Sequence, residues 1–329
     1  MILKEHLCDN NIKIINNIKL NSVLKGVFSM MDLALLGCGR SMPMTYRRLS
    51  SMLINFRGRK VLIDCGEGTQ VAIRSIGWGF KTIDYICISH FHGDHTVGIP
   101  GLLGTIGNSG RTEPLTIIGP EGIKAVIDGL RVICPYLPYE VRIIEAPKES
   151  INLYNNMKLE TLELKHSAPC IGYRFDVKRR AKFSVESAEK NEVPKILWSR
   201  LQKGADLEYE GKIYKPSMVL GEDREGIRLS FITDSRPLVT IPTFIENSDL
   251  FVCEGTYGND DDRVKAIANC HMTFREAAEI AKEGKVKEML LTHFSPAMML
   301  PEQYIMNARE VFENTVLGED GLIKNLSFK

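Results

Sequence analysis

Three histidines and an aspartate crowd into the segment Ser89-His90-Phe91-His92-Gly93-Asp94-His95. Imidazole and carboxylate are metal ligands, and the segment follows an apolar run, 83–88, that reads as a strand. In extended chain residues i and i+2 face the same side, so His90 and His92 are placed to grip one ion. Gly93 permits a tight turn, after which Asp94 and His95 point toward a second ion. Two imidazoles on one ion and a carboxylate with an imidazole on the next suit zinc, with iron or manganese as alternatives. A single histidine after a strand is ordinarily a satisfied core residue; the pattern HxHxDH is far harder to explain that way.

Such a site needs more ligands, and three further polar residues each follow an apolar strand-like run. His166 follows the run 158–164, Asp234 follows 229–233, and His293 follows 289–292. Their common position favours one shared site. A carboxylate such as Asp234 has two oxygens and is able to bridge two ions, which an imidazole is not. Two ions about 3.5–4 Å apart would lower the pKa of a shared water and neutralise charge building on a carbonyl or phosphoryl centre. The leaving oxygen then needs a proton. His271 is the histidine free for that task, with Glu254 to orient it.

The elements that must position these residues are strands joined by turns, with helices between some of them. Strand-like runs fall at 33–36, 51–56, 60–64, 83–88, 115–118, 141–144, 158–164, 171–175, 228–232, 250–253 and 288–292. Helices are expected at 69–76, 122–132, 273–283 and 301–312, the third opened by a capping box of Thr273 and Glu276. The alternation points to a layered α/β architecture. Between Phe175 and Arg228 the pattern breaks into a polar, charged stretch opened by Lys178-Arg179-Arg180 and Lys182. It reads either as a solvated surface insertion or as an arm contacting a large substrate. Residues 1–30, rich in Asn, Lys and Ile, read as an N-terminal extension of unknown role.

The 329 residues suffice for a sizeable core, and the composition (44% apolar, 25% charged) is that of a globular protein. A formal net charge of +1 supplies no global field toward nucleic acid, so any RNA-binding surface must be local. The eight cysteines form no CxxC pair and several sit in apolar runs, which reads as buried free thiols of a reducing compartment. No apolar run approaches a membrane span, and the start, MILKEHLCDN, lacks a signal-peptide core. The expected setting is the cytoplasm, with no membrane partner.

The segment Ser89–His95 resembles the signature of the metallo-β-lactamase superfamily. Asp64-Cys-Gly-Glu-Gly-Thr-Gln70, Gly98-Ile-Pro-Gly-Leu-Leu103 and Leu291-Thr-His-Phe-Ser-Pro296 are similar to stretches of one branch, the short-form ribonuclease Z family of tRNA 3′-processing endoribonucleases. The resemblance runs in order from about 31 to 296. It implies a four-layer αβ/βα sandwich over 31–329, with a protruding substrate-binding arm inserted at about 176–225. It implies two zinc ions per subunit, one on His90, His92 and His166, the other on Asp94, His95 and His293, bridged by Asp234. Asp94 takes a second role as base or in steering the attacking water, and Glu254 and His271 protonate the leaving 3′ oxygen. The implied reaction removes the 3′ trailer from tRNA precursors, in a homodimer whose arm clamps tRNA bound at the partner's site.

The family's Gly-Pro pair in the arm is absent from Val193-Pro-Lys-Ile-Leu-Trp-Ser-Arg-Leu201. Its Pro-x-Lys-x-Arg-Asn loop reads Pro43-Met-Thr-Tyr-Arg-Arg48, Gly-Asp-Thr reads Thr233-Asp234-Ser235, and Ser-Pro-Arg-Tyr reads Ser295-Pro296-Ala297-Met298. None of these departures removes a metal ligand or the Glu254–His271 pair. Two other readings stand beside the endoribonuclease: a phosphodiesterase of the same fold for small cyclic or aryl phosphodiesters, and a metal-stabilised RNA-binding protein without turnover. The second leaves Glu254 and His271 without a purpose, because a structural metal site is closed.

Overall fold

The computed structural model describes residues 30–154 and 156–329; the expected extension therefore lies, except for Met30, outside the described residues. Strands β1 (Met31–Gly37), β2 (Ser51–Phe56), β3 (Arg59–Ile63), β4 (Ile83–Cys87), β5 (Leu115–Gly119) and β6 (Val141–Glu145) build most of a first sheet. A second sheet takes β7 (Ile151–Asn152), β8 (Met157–Leu164) and β9 (Cys170–Arg179). After a short hairpin, β10 (Leu207–Tyr209) and β11 (Lys212–Tyr214), it continues with β12 (Arg224–Ile232), β13 (Leu250–Glu254), β14 (Met289–Thr292) and β15 (Thr315–Leu317). The last strand, β16 (Ile323–Leu326), crosses back to the first. The orders are β16-β1-β2-β3-β4-β5-β6 and β15-β14-β13-β12-β9-β8-β7, seven strands each.

Period-2 alternation sets the layers. Along β1, Leu33 and Leu35 join the core shared with the second sheet, while Ala34 and Leu36 face the other way. That outer face is covered by α1 (Thr69–Ser75), α3 (Ile99–Asn108) and α4 (Ile123–Leu130), whose Ile73, Leu102, Leu103, Ile106 and Ile127 pack there. On the second sheet, β13 is buried along its whole length, as a parallel strand covered on both faces must be. The helix α9 (Phe274–Glu283) packs on β13 and β14, and it carries the expected capping box of Thr273 and Glu276. The expected α/β sandwich is thus present, helices outside and two sheets within. Tyr173 ties the sheets together, its hydroxyl donating to the Ile88 carbonyl at 2.7 Å and lying 3.1 Å from that of Ile118.

Several sequence expectations need correction. β9 and β12 are longer than 171–175 and 228–232, so Lys178 and Arg179 belong to a strand. The stretch between them is not structureless. It holds α5 (Val185–Lys190), α6 (Trp198–Gln202) and the β10–β11 hairpin around an apolar cluster of its own. Val193, Leu197 and Leu201 recur every four residues, a signal hidden by the surrounding charge. The helix α3 lies outside the expected helices, although Ile99, Leu102, Leu103 and Ile106 follow helical spacing. β15 and β16 are short edge strands with weak apolar pattern. The seven described cysteines are unpaired, but Cys134 and Cys270 are only half-buried; Cys8 lies outside the described residues.

Candidate metal centre and proton-transfer pair

β8, β12, β13 and β14 run in the same direction, so their carboxyl ends meet along one edge, opposite the carboxyl ends of β3 and β4. Loops leaving strand ends in this way form the usual ligand crevice of α/β proteins. They deliver His166, Asp234, Glu254, His293, Asp64 and His90 to one place.

The histidines and aspartates singled out as metal ligands are all brought together, in two groups. In the first, His90 Nε2 lies 3.0 Å from His92 Nδ1 and 3.5 Å from Asp234 Oδ2. His166 Nε2 lies 3.3 Å from His92 Nδ1 and 3.7 Å from Asp234 Oδ2. In the second, His95 Nε2 and His293 Nε2 are 3.2 Å apart, each 3.7 Å from Asp94 Oδ2. Asp234 Oδ1 faces this group, 3.5 Å from His95 and 3.1 Å from His293. A tetrahedral ion with bonds of about 2.0–2.1 Å has ligand atoms about 3.3 Å apart. The observed edges fit, and Asp234 offers one oxygen to each group.

Gly93 does not act as anticipated. It opens a single helical turn, α2 (Gly93–Thr96), and does not have a positive φ. The turn itself swings Asp94 and His95 away from His92. Its neighbours Gly66 and Gly98 are the glycines that matter. A Cβ on Gly98 would lie 2.2 Å from the Gly66 carbonyl oxygen, and one on Gly66 would lie 2.5 Å from that of Asp94. Their bareness lets the 64–68 loop lie directly on the 93–98 turn.

That approach brings in a residue to which sequence reading assigned no role. Asp64 is fully buried and its Oδ2 stands 2.8 Å from His95 Nδ1, while the Ser89 N–H and Oγ donate to its two oxygens at 2.7 and 2.8 Å. A carboxylate there holds the Nδ1–H tautomer and leaves Nε2 free for an ion. The Cys270 carbonyl does the same for His166 at 3.2 Å. Thr256 was missed as well. Its hydroxyl donates to Glu254 Oε2 at 2.6 Å and lies 3.1 Å from His293 Nδ1. Asp64 had two signals, its place at a strand end and its position in the family-like stretch Asp64–Gln70; Thr256 had none.

Glu254 and His271 meet deep in the same region, with His271 Nδ1 3.1 and 3.2 Å from the two carboxylate oxygens. The Ser235 N–H also donates to Glu254, at 2.6 Å. His271 lines a cleft of about 230 Å³ together with Arg40, Ser41, His92, Asp94, His166 and Asp234. Burial works against charging His271, but Glu254 and Asp234 outweigh it and raise its pKa above the ordinary imidazole value. Burial also opposes ionisation of Asp94. The His293 and His95 imidazoles and the Ser41 N–H, 2.6 Å away, overcome this and hold the carboxyl well below its usual range.

A family model described as Anti-Pycsar protein Apyc1 matches residues 31–125, which include His90–His95 but none of the later ligands. The ribonuclease Z of Clostridium beijerinckii is 58% identical over 305 residues, covering 91% of this chain and 99% of that protein. The chain belongs to the ribonuclease Z family. Among solved structures, human tRNase Z, short form, matches with a TM-score of 0.64 at 23% identity, covering 90% of this chain and all of that one. The metallo-β-lactamase fold protein YhfI of Bacillus subtilis matches with a TM-score of 0.65 at 20% identity, covering 89% and 98%. These two establish the metallo-β-lactamase fold. With the family, they make the chain a metal-dependent hydrolase.

Proposed function

We propose that this ribonuclease Z removes the 3′ trailer from tRNA precursors by metal-dependent hydrolysis of one phosphodiester. The observation that carries the reading is Asp234, whose two oxygens each face one ligand group, beside the buried Glu254–His271 pair. We assign His90, His92 and His166 to one ion, Asp94, His95 and His293 to the other, and Asp234 to both. Zinc is the ion that an imidazole-rich tetrahedral set favours. Bound there, two such ions would supply an activated water and neutralise phosphoryl charge. Asp94 steers that water, and His271, held by Glu254, gives its proton to the leaving 3′ oxygen.

The insertion is assigned as the substrate arm. Its root forms a cleft of about 520 Å³ lined by Lys158, Lys178, Arg179, Arg180 and Lys203, with Asp223 as its one carboxylate. This is the local basic surface that a nearly neutral chain needs to hold RNA phosphates. β9 has Cys170 beside the metal centre, its thiol 3.7 Å from the Asp234 carbonyl. Its other end, nine residues along, enters the arm, about 30 Å away at strand spacing. That separation supports an arm serving the metal site of a second subunit, hence a homodimer. No helix among the described residues is long and apolar enough to cross a membrane, and the unpaired thiols support a cytoplasmic setting.

Purified protein loaded with zinc or manganese should cut a tRNA precursor at the base of its 3′ trailer. Failure on several precursors, beside good turnover of a small cyclic phosphodiester, would overturn the assignment of substrate. Tight precursor binding without any metal-dependent cleavage would overturn the assignment of activity.

A further inference from the structure

We infer that Arg236 is the positioning residue for His271, coupling the loop that carries Asp234 to the proton donor. The inference rests on the proposed role of His271 as general acid. Three consecutive residues after β12 address three different parts of the site. Asp234 lies between the two ligand groups, the Ser235 N–H orients Glu254, and Arg236 reaches across to the loop ahead of α9. There its guanidinium donates to the His271 carbonyl and forks onto Glu276, at 2.9 Å from Oε2 and 2.5 Å from Oε1. Both partners are nearly buried, with side chains 13% and 7% exposed.

The fork is braced on each side. Glu276 also accepts from the Thr273 N–H at 3.0 Å, within the capping box that starts α9. The Arg236 N–H donates to the Lys165 carbonyl at 3.0 Å, next to His166. The preceding carbonyl, that of Cys270, accepts from His166. The two successive carbonyls at 270 and 271 are thus held by a ligand candidate and by Arg236. Glu254 fixes the His271 ring; Arg236 fixes its backbone. A planar two-pronged donor satisfies a carboxylate and a carbonyl at once, which a lysine ammonium does not do with the same geometry.

The test compares leaving groups. A ribose 3′ oxygen needs protonation as it departs, whereas an aryl oxide of low pKa needs little. His271→Ala should lower kcat on a tRNA precursor by about 10²-fold or more, with a much smaller loss on an activated aryl phosphodiester. Arg236→Gln should show the same asymmetry, with a loss on precursor about tenfold greater than that on the aryl substrate. Arg236→Lys should fall between Arg236→Gln and the parent chain. Bound zinc, measured by atomic absorption, should stay at the parent level in all three variants. Equal losses of Arg236→Gln on both substrates, or parallel loss of zinc, would make Arg236 a merely structural residue and overturn the inference. Absence of asymmetry in His271→Ala would instead overturn the general-acid reading beneath it. Should Arg236→Gln not fold, Arg236→Lys decides alone by the same ratio.

Discussion

The candidate metal ligands depend on residues outside the ligand set. His95 is the clearest case. Burial works against its charge, but Asp234, Asp64 and Asp94 outweigh it and push its pKa up to about 10. The shift favours a proton on His95, and an ion bound at its Nε2 competes with that proton. Metal uptake is expected to release protons and to strengthen as pH rises. Calorimetric titration in buffers of different ionisation heat reads the proton count directly, and a buffer-independent heat would contradict it. Asp64 fixes which nitrogen of His95 is free. Asp64→Asn should weaken one of the two ions by about 10–100-fold against a competing chelator; unchanged affinity would show that His95 orients itself.

At the scale of elements, the site depends on how closely one loop lies on another. The 64–68 loop reaches His95 only because Gly66 and Gly98 let backbone meet backbone. Gly98→Ala would place a methyl 2.2 Å from the Gly66 oxygen. The contact is with main chain, which has little room to move, so a loss of about 1–3 kcal/mol in stability is expected, with lowered zinc content. Urea unfolding beside a metal assay checks both; a neutral result would mean that the two motifs are not held together there. The capping box at Thr273 plays the matching part on the other sheet, where it starts α9 and presents Glu276 to Arg236.

For the whole molecule, the candidate metal centre and the inserted segment after β9 stand at opposite ends of the second sheet. If each arm serves its partner's site, a subunit lacking residues 180–223 and a subunit carrying Asp234→Asn should each be poor on a tRNA precursor. Mixed and allowed to exchange, they should recover about a quarter to half of the parent activity, since heterodimers hold one intact site facing one intact arm. No recovery with exchange demonstrated by mass would place the arm on its own site or outside the reaction. The inserted segment has its own apolar cluster, Leu197, Leu201 and Leu207 among it, so its deletion should leave the sandwich core in place.

What the sequence determined by itself was what depends on near neighbours in the chain. The HxHxDH segment, the capping box at Thr273, the alternation in β1 and the strand-end positions of His166, Asp234 and His293 were all legible, because pleat and helix repeat every few residues. Elimination among the histidines pointed to His271, with Glu254 to orient it, and resemblance supplied the same pair. The rest depends on how distant parts of the chain pack. His95 meets His293 across 198 positions and Asp64 across 31, and neither separation leaves a local mark. Which carboxylate oxygen faces which ligand group, which carbonyl Arg236 reaches, and at which end of a sheet the arm departs are set by how two sheets pack. The physical cause is the same throughout: residues far apart in the chain are brought within 3 to 4 Å of one another by burial of the apolar faces between them, and no periodicity in the sequence records that distance.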